Sequence, residues 1–485
     1  MSCTRIYRCT RRLTWFVVAA LLWPTISRSD TVNLPSLGDA SSRIISPQLE
    51  RRIGEGFLQQ LHAAYPTSPD PLIKYWVEKH ITALAQHSEL RKAILSVAVI
   101  DDDTINAFAA PGGVVGINLG LLLHAQDVHE YSSVVAHELA HLSQRHFARG
   151  VEEAQAGTLP ALATLIGALL IGVMGGGEAG LAAVSAAQAA SHSRQMRFSR
   201  EREQEADRIG LNTLVRADLD PSGMSRMFER MQRAFRFTRK PPEFVLTHPL
   251  SETRIADARN QALQYRGETF PDSLDYHMMR IRAQLSYEQN PTASIKTFQN
   301  RLRDQPDDVS AQYGLALALS KNEEHQEALL LIETVHNINP SSILYTAAHA
   351  ELLIAADEND LAQRILSHQL VLNPDNTPLS LVYADSLNAQ GKHTDAEAIL
   401  ERQSKKRPDD VDVWYELAET AGLAGNITGV HLARAEYFYL HGAYHRSIQH
   451  LEYAQRLVRR TNPQLLAKLT QRIQDLRTAV RMQNS

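Results

Sequence analysis

"VVAHELAHLSQRH", residues 134–146, sets two histidines four apart with a glutamate directly after the first. On an α-helix residues four apart share a face one turn apart, so His137 and His141 can both reach one metal ion at about 2.0–2.1 Å. Glu138 then points beside that ion, where a bound water would sit as the nucleophile of a hydrolase. The same residues also read as a plain helix with two surface histidines, so the rest of a site must be found elsewhere. The extended form of this motif would place a glycine three residues after His141 and a histidine six after it, but those places hold Gln144 and Phe147. His146, five residues from His141, falls off the shared face of a continuous helix spanning about 132–149 and is expected to be solvent-facing or structural.

A third ligand is offered by "SREREQEADRIG", residues 199–210. Glu203 and Asp207 are four apart, so on one helix face Glu203 can coordinate while Asp207 accepts a hydrogen bond from the far nitrogen of a ligand histidine. A solvated acidic helix face remains the alternative for this run taken alone.

Upstream, residues 43–92 carry helical periodicity interrupted around Pro66 to Pro71, which predicts two helices. "ILSVAVI" (94–100) and "NAFAAPGGVVGIN" (106–118) are β-rich runs parted by Asp101 to Asp103 and by the turn Pro111-Gly112-Gly113. They predict a small β-meander beside helices, an α+β arrangement.

Downstream the chain repeats. Pro306, Pro340, Pro374 and Pro408 are each 34 residues apart, as are Ala316, Ala350, Ala384 and Ala418. Ala328, Ala362 and Ala396 keep the same period, with Ile332, Leu366 and Leu400 at one bulky position. A period of 34 with small residues at helix crossings and a closing proline is the signature of a tetratricopeptide solenoid. After Pro408 the register loosens, since "RAEYFYLHGAYHRSIQHLEYAQRL" begins a unit early, and an irregular capping segment is expected.

A chain of 485 residues exceeds what one core usually organises. With 50 basic and 54 acidic residues, its balance does not suggest nucleic-acid binding. The first 29 residues join Arg5, Arg8, Arg11 and Arg12 to the apolar run "LTWFVVAALLW" and the small residues Ser27 and Ser29. That pattern predicts a Sec-type signal peptide cleaved after Ser29 and a periplasmic protein. Both cysteines, Cys3 and Cys9, would leave with it, so no thiolate is available for a metal.

"HELAH" followed by "SREREQEAD" resembles the zinc metallopeptidases that include HtpX and the CAAX prenyl endopeptidases. The resemblance selects Glu203 over Glu201 and Glu205, because the family's Glu-x-x-Ala-Asp falls on Glu203, Ala206 and Asp207. It implies one zinc ion held by His137, His141 and Glu203, with Glu138 and Asp207 as catalytic residues. "NAFAAPGG" is similar to the family's substrate-side strand, which points to Asn106, Ala107 and Phe108 as the edge on which an extended substrate adds. "THPLSETRI" is similar to its His-Pro element, and His248 reads as a fourth ligand that latches the site, a donor that steadies the oxyanion, or a structural histidine. If His141 and Glu203 bind one ion, the apolar stretch 158–177 cannot cross a membrane once. A helical hairpin over about 158–194, lying on a membrane surface or a partner, fits better, because 16 helical residues span only about 24 Å of a core of about 30 Å.

The expected architecture is therefore a signal peptide (1–29), an α+β zincin-type metallopeptidase domain, mostly helical with a small β-sheet (30–265), and an all-α tetratricopeptide-repeat solenoid (275–478). The combination resembles the β-barrel assembly-enhancing proteases. That implies misassembled outer-membrane proteins as clients and the β-barrel assembly machinery as partner. A repeat chaperone or scaffold with a latent or vestigial protease site is the alternative.

Overall fold

The structure is a computed structural model, and it describes residues 46–153, 200–235 and 243–483. The expected signal segment and the apolar stretch 158–194 lie outside the described residues. No helix among the described residues is long and apolar enough to cross a membrane.

Two helices precede the sheet, as the periodicity predicts: α1 (Pro47–Ala64) and α2 (Pro71–His87). Each starts on a proline behind a capping side chain; Asp70 accepts from the amides of Leu72 and Ile73, satisfying two of the unpaired donors of the first turn. The strands β1 (Ser96–Ile100), β2 (Ala107–Ala110) and β3 (Val114–Asn118) follow, but they do not form the expected meander. The order is β1-β3-β2, with β1 parallel and β2 antiparallel to β3, so β2 lies at an edge.

Alternation decides the faces of this sheet. Ala98, Ile100, Phe108, Ala110 and Val114 pack on Phe57, Leu58 and Leu61 of α1. Val99, Ala107, Val115 and Ile117 join the main core on the other face. Gly116 is required here, since a Cβ would strike the ring of Phe108 lying over it.

The helix α3 (Leu119–His124) leads into α4 (Val128–Ser143), which is buried along its length to His141 and forms the axis of this half. The predicted single helix over 132–149 is broken: α4 ends at Ser143, Arg145 takes a left-handed conformation (φ 51°), and α5 (His146–Glu153) starts in a new direction. Packed around α4 are α6 (Arg200–Arg216) and α7 (Ser222–Phe235), whose Arg230 pairs with the buried Glu130 at 2.8 Å. The short α8 (Glu243–Thr247) and α9 (Glu252–Ala262) complete this part.

The repeats run from α10 to α21: α10 (Leu274–Tyr287), α11 (Pro291–Asp304), α12 (Val309–Lys321), α13 (His325–Ile338), α14 (Ile343–Ala355), α15 (Asn359–Leu372), α16 (Thr377–Ala389), α17 (His393–Lys406), α18 (Val411–Leu423), α19 (Ile427–Leu440), α20 (Tyr444–Val458) and α21 (Pro463–Gln483). The alanines of the repeat are buried where helices cross. The register holds further than the prolines suggest, because α18 and α19 keep the spacing and α20 with α21 form one more helix pair. The expected irregular cap is thus regular helix; the inner bulky position falls on Arg434 in α19, and this hid the unit in the sequence.

Each repeat turns on a left-handed residue at a fixed place: Glu323, Asp357, Gly391 and Gly425 have φ of 65°, 63°, 74° and 76°. Only glycine adopts this conformation without a Cβ penalty. Glu323→Gly is expected to raise stability by about 0.5–1 kcal/mol, read as a higher urea midpoint. An unchanged midpoint would show that the turn carries no strain.

Helix α2 packs on α10, α14 and α16, the first helices of three repeats, so the solenoid's inner face is turned to the chain's own N-terminal half. Ion pairs line this contact. Lys74 bonds Asp410 at 3.1 Å and also reaches Asp412, Arg407 pairs with Glu78, and Arg282 bonds Asp70 at 2.7 Å and Glu351 at 2.8 Å. Burial opposes the charge on Asp410, but Lys74 and Arg407 outweigh it and hold the carboxyl below its usual range. Burial likewise opposes the charge on Lys74, yet Asp410 and Asp412 raise it.

A carboxylate lowered on folding contributes stability above its unfolded pKa of about 4 and loses it as pH falls through the folded value. A raised lysine contributes below about 10.4 and loses it as pH rises through its folded value. The clamp is therefore strongest from about pH 4 to about pH 10. Lys74→Met is expected to cost about 2 kcal/mol at neutral pH, less than the loss of a fully buried pair because Arg407 still faces Asp410. It should also flatten the acid side of the stability curve; a curve matching wild type would remove the clamp from the account.

Candidate metal centre

Helix α4 brings His137, Glu138 and His141 to the middle of the fold, and α6 lays Glu203 and Asp207 against them. Small residues permit this approach. Ala206 and Ala140 pack together, and a Cβ on Gly210 would come within 3.1 Å of the His137 backbone nitrogen. The segment after α8 adds His248, with its ring stacked on Phe244 at 4.7 Å. All four of His137, His141, Glu203 and His248 are buried, with one donor atom from each lying within 4.8 Å of the others.

The spacing of these atoms carries the argument. His137 Nε2 lies 3.0 Å from His141 Nε2, 3.4 Å from Glu203 Oε2 and 3.4 Å from His248 Nδ1. Glu203 Oε1 lies 3.5 Å from His141 Nε2 and 3.1 Å from His248 Nδ1. Four ligands at about 2.1 Å around a tetrahedral ion stand about 3.4 Å from one another. The donors are imidazole and carboxylate, the set that a borderline divalent metal takes, so these residues fit the ion that the motif implies.

Charge is arranged around them. Asp207 Oδ1 comes within 2.9 Å of His137 Nδ1, the nitrogen that faces away from the cluster. Arg254 grips Asp207 with Nε at 2.6 Å and Nη2 at 2.7 Å, and its Nη1 lies 2.9 Å from Glu203 Oε2. Burial works against both carboxylates, yet Glu203 is held well below its ordinary range by His248 and His137, and Asp207 is lowered by Arg254 and His137. Burial also works against charge on His137, but Asp207 and Glu203 raise it to about 9. His141 is driven far down by burial and by His137.

Glu138 differs from these two acids. Burial pushes its carboxyl above the usual range although it faces His248, and a backbone hydrogen bond from Ala109 of β2 only moderates this. Its Oε1 accepts no hydrogen bond among the described residues, and His248 Nε2 stands 3.4 Å away. A buried carboxyl raised above its usual range, with one oxygen left without a hydrogen bond, beside a metal-binding cluster has the properties of a general base.

The predicted residues His137, Glu138, His141, Glu203, Asp207 and His248 thus converge on one site. Asn106, Ala107 and Phe108 lead into and begin the edge strand β2, but their side chains are buried, and Ala109 is the residue of that strand touching Glu138. Of the two expectations for His146, the solvent-facing one is overturned and the structural one stands. The residue is completely buried, with Nδ1 lying 2.8 Å from His141 Nδ1, because the break at Arg145 folds it back where a continuous helix would turn it away. Arg254 had only its place after the His-Pro pair to mark it, and Glu205, which binds His146, had nothing to set it apart from the other acids of its run.

Residues 71–262 match the model of peptidase family M48, and residues 353–419 match a tetratricopeptide repeat model. The chain is 30% identical over 353 residues to the β-barrel assembly-enhancing protease of Yersinia pestis, which covers 72% of each chain. This chain belongs to peptidase family M48. It is a metalloendopeptidase of that family, with the His137, His141, Glu203 and His248 site intact. The β-barrel assembly-enhancing protease of Escherichia coli is 31% identical over 64% of each chain. The mitochondrial metalloendopeptidase OMA1 of Schizosaccharomyces pombe is 30% identical over 44% of this chain and 60% of its own. A solved repeat protein of Thermus thermophilus is 19% identical and covers 42% of this chain and 98% of its own at a TM-score of 0.28.

Proposed function

We propose that this peptidase is a periplasmic zinc endopeptidase that removes outer-membrane β-barrel proteins when their assembly fails. The observation that carries the chemistry is the grouping of four buried donors within 4.8 Å of one another beside the unsatisfied Oε1 of Glu138. Zinc held by His137, His141 and Glu203 would polarise the scissile carbonyl and acidify a bound water. Glu138 takes the proton from the attacking water and hands it to the leaving amine, for which a carboxyl raised above its usual range is suited. Asp207, gripped by Arg254, sets its negative charge 2.9 Å from His137 Nδ1, which favours the tautomer that presents Nε2 to the ion.

An extended client adds along the edge strand around Asn106, Ala107 and Phe108, held by backbone bonds that read little sequence. The names of the relatives support misassembled barrel proteins as clients and the assembly machinery as partner, with the repeats holding either one. The stretch 158–194 is the candidate for contact with the membrane surface. His248 stands among the donors and supports a resting state that is latent rather than a scaffold that is inert. Metal analysis with casein digestion tests the reading. About one zinc per chain and cleavage that stops on chelation are expected, whereas wild type with neither would overturn it.

A further inference from the structure

The two histidines of α4 are buttressed in different ways. His137 rests directly on a carboxylate, Asp207, that Arg254 holds. At its far nitrogen His141 meets a second imidazole: its Nδ1 lies 2.8 Å from His146 Nδ1, with the two rings nearly perpendicular at 74°. On its other side His146 Nε2 lies 3.1 Å from Glu205 Oε2, and the same oxygen takes Arg149 Nη1 at 3.1 Å.

We infer that His146, Glu205 and Arg149 form a positioning chain for His141, a statement that rests on the metallopeptidase reading above. The tautomers follow from the contacts. His141 turns Nε2 to the other donors, so its proton sits on Nδ1 and is donated to His146 Nδ1. His146 then carries its own proton on Nε2 and donates it to Glu205, whose charge Arg149 balances. With these contacts His141 cannot rotate or change tautomer without breaking its bond to His146.

An intervening ring is needed for a geometric reason. Glu205 and Asp207 are two apart on α6 and point to nearly opposite sides, so the two cannot both lie directly against the far nitrogens of His137 and His141. The left-handed turn at Arg145 supplies the missing length by folding His146 between His141 and Glu205.

Partners of this kind typically contribute about 10- to 100-fold to metal affinity. The test uses the full-length chain, with zinc affinity measured by chelator competition and the visible spectrum of the cobalt-substituted protein. His146→Phe keeps the ring volume but offers no acceptor; it is expected to weaken zinc binding by about 10- to 100-fold and to shift the cobalt bands. His146→Gln offers an amide oxygen to the His141 proton and is expected to recover most of that loss. Glu205→Gln, at the partly exposed end, is expected to weaken binding by a smaller factor without affecting folding. Wild-type affinity in His146→Phe, or equal losses in the Phe and Gln variants, would overturn the chain and leave His146 a packing residue. Wild type that binds no zinc would overturn the metallopeptidase reading and this inference with it.

Discussion

Glu138→Gln is expected to lower casein cleavage by about 10²- to 10⁴-fold while zinc content stays at the wild-type level. Glu138 is not among the four residues that define the cluster, and glutamine is nearly isosteric, so the ion's surroundings are preserved. What is lost is the ability to accept a proton. Glu138 is the acid of the site that burial pushes up, whereas Glu203 and Asp207 are both pulled down by cations and imidazoles beside them. Such divergence of pKa values separates the proton carrier from the groups that only hold charge. Cleavage within a few-fold of wild type would exclude Glu138 as the base, and loss of zinc in the variant would make it a structural support of the ligands instead.

The second large effect has the opposite sign. His248→Ala is expected to raise proteolysis, because the imidazole lies against both a ligand residue and the base: Nδ1 is 3.1 Å from Glu203 Oε1, and Nε2 is 3.4 Å from Glu138 Oε1. A ring that meets a ligand and the base at once blocks both. If the closed form is favoured by about 1.4 kcal/mol, only about a tenth of the molecules are open, and removal of the ring raises turnover by up to about tenfold. The measurement is initial casein cleavage at equal zinc occupancy. A fall in rate would assign His248 to steadying the oxyanion, and an unchanged rate would leave it a structural histidine stacked on Phe244.

Much of this site was legible because its parts lie on helices, where spacing alone places side chains. His137 with His141, and Glu203 with Asp207, are both four apart, and each pair emerges on a single face. The repeats were legible for a similar reason, since a period of 34 is carried by residues that must be small or bulky at fixed crossings. Legibility failed where the backbone leaves regular geometry. The meander was wrong because strand order depends on how β2 crosses to the far side of β3, and no local pattern records that crossing.

His146 shows the boundary most clearly. By itself the sequence determined which residues could share a helix face, and therefore the two histidines, the base and the acids of the centre. Only the tertiary structure decided that α4 stops at Ser143, that Arg145 turns left-handed, and that His146 is thereby carried onto His141. It also decided that the inner face of the repeats meets α2 of the same chain. The physical reason is common to both: face-sharing follows from the pitch of one helix, whereas breaks and docking follow from contacts between segments far apart in the chain.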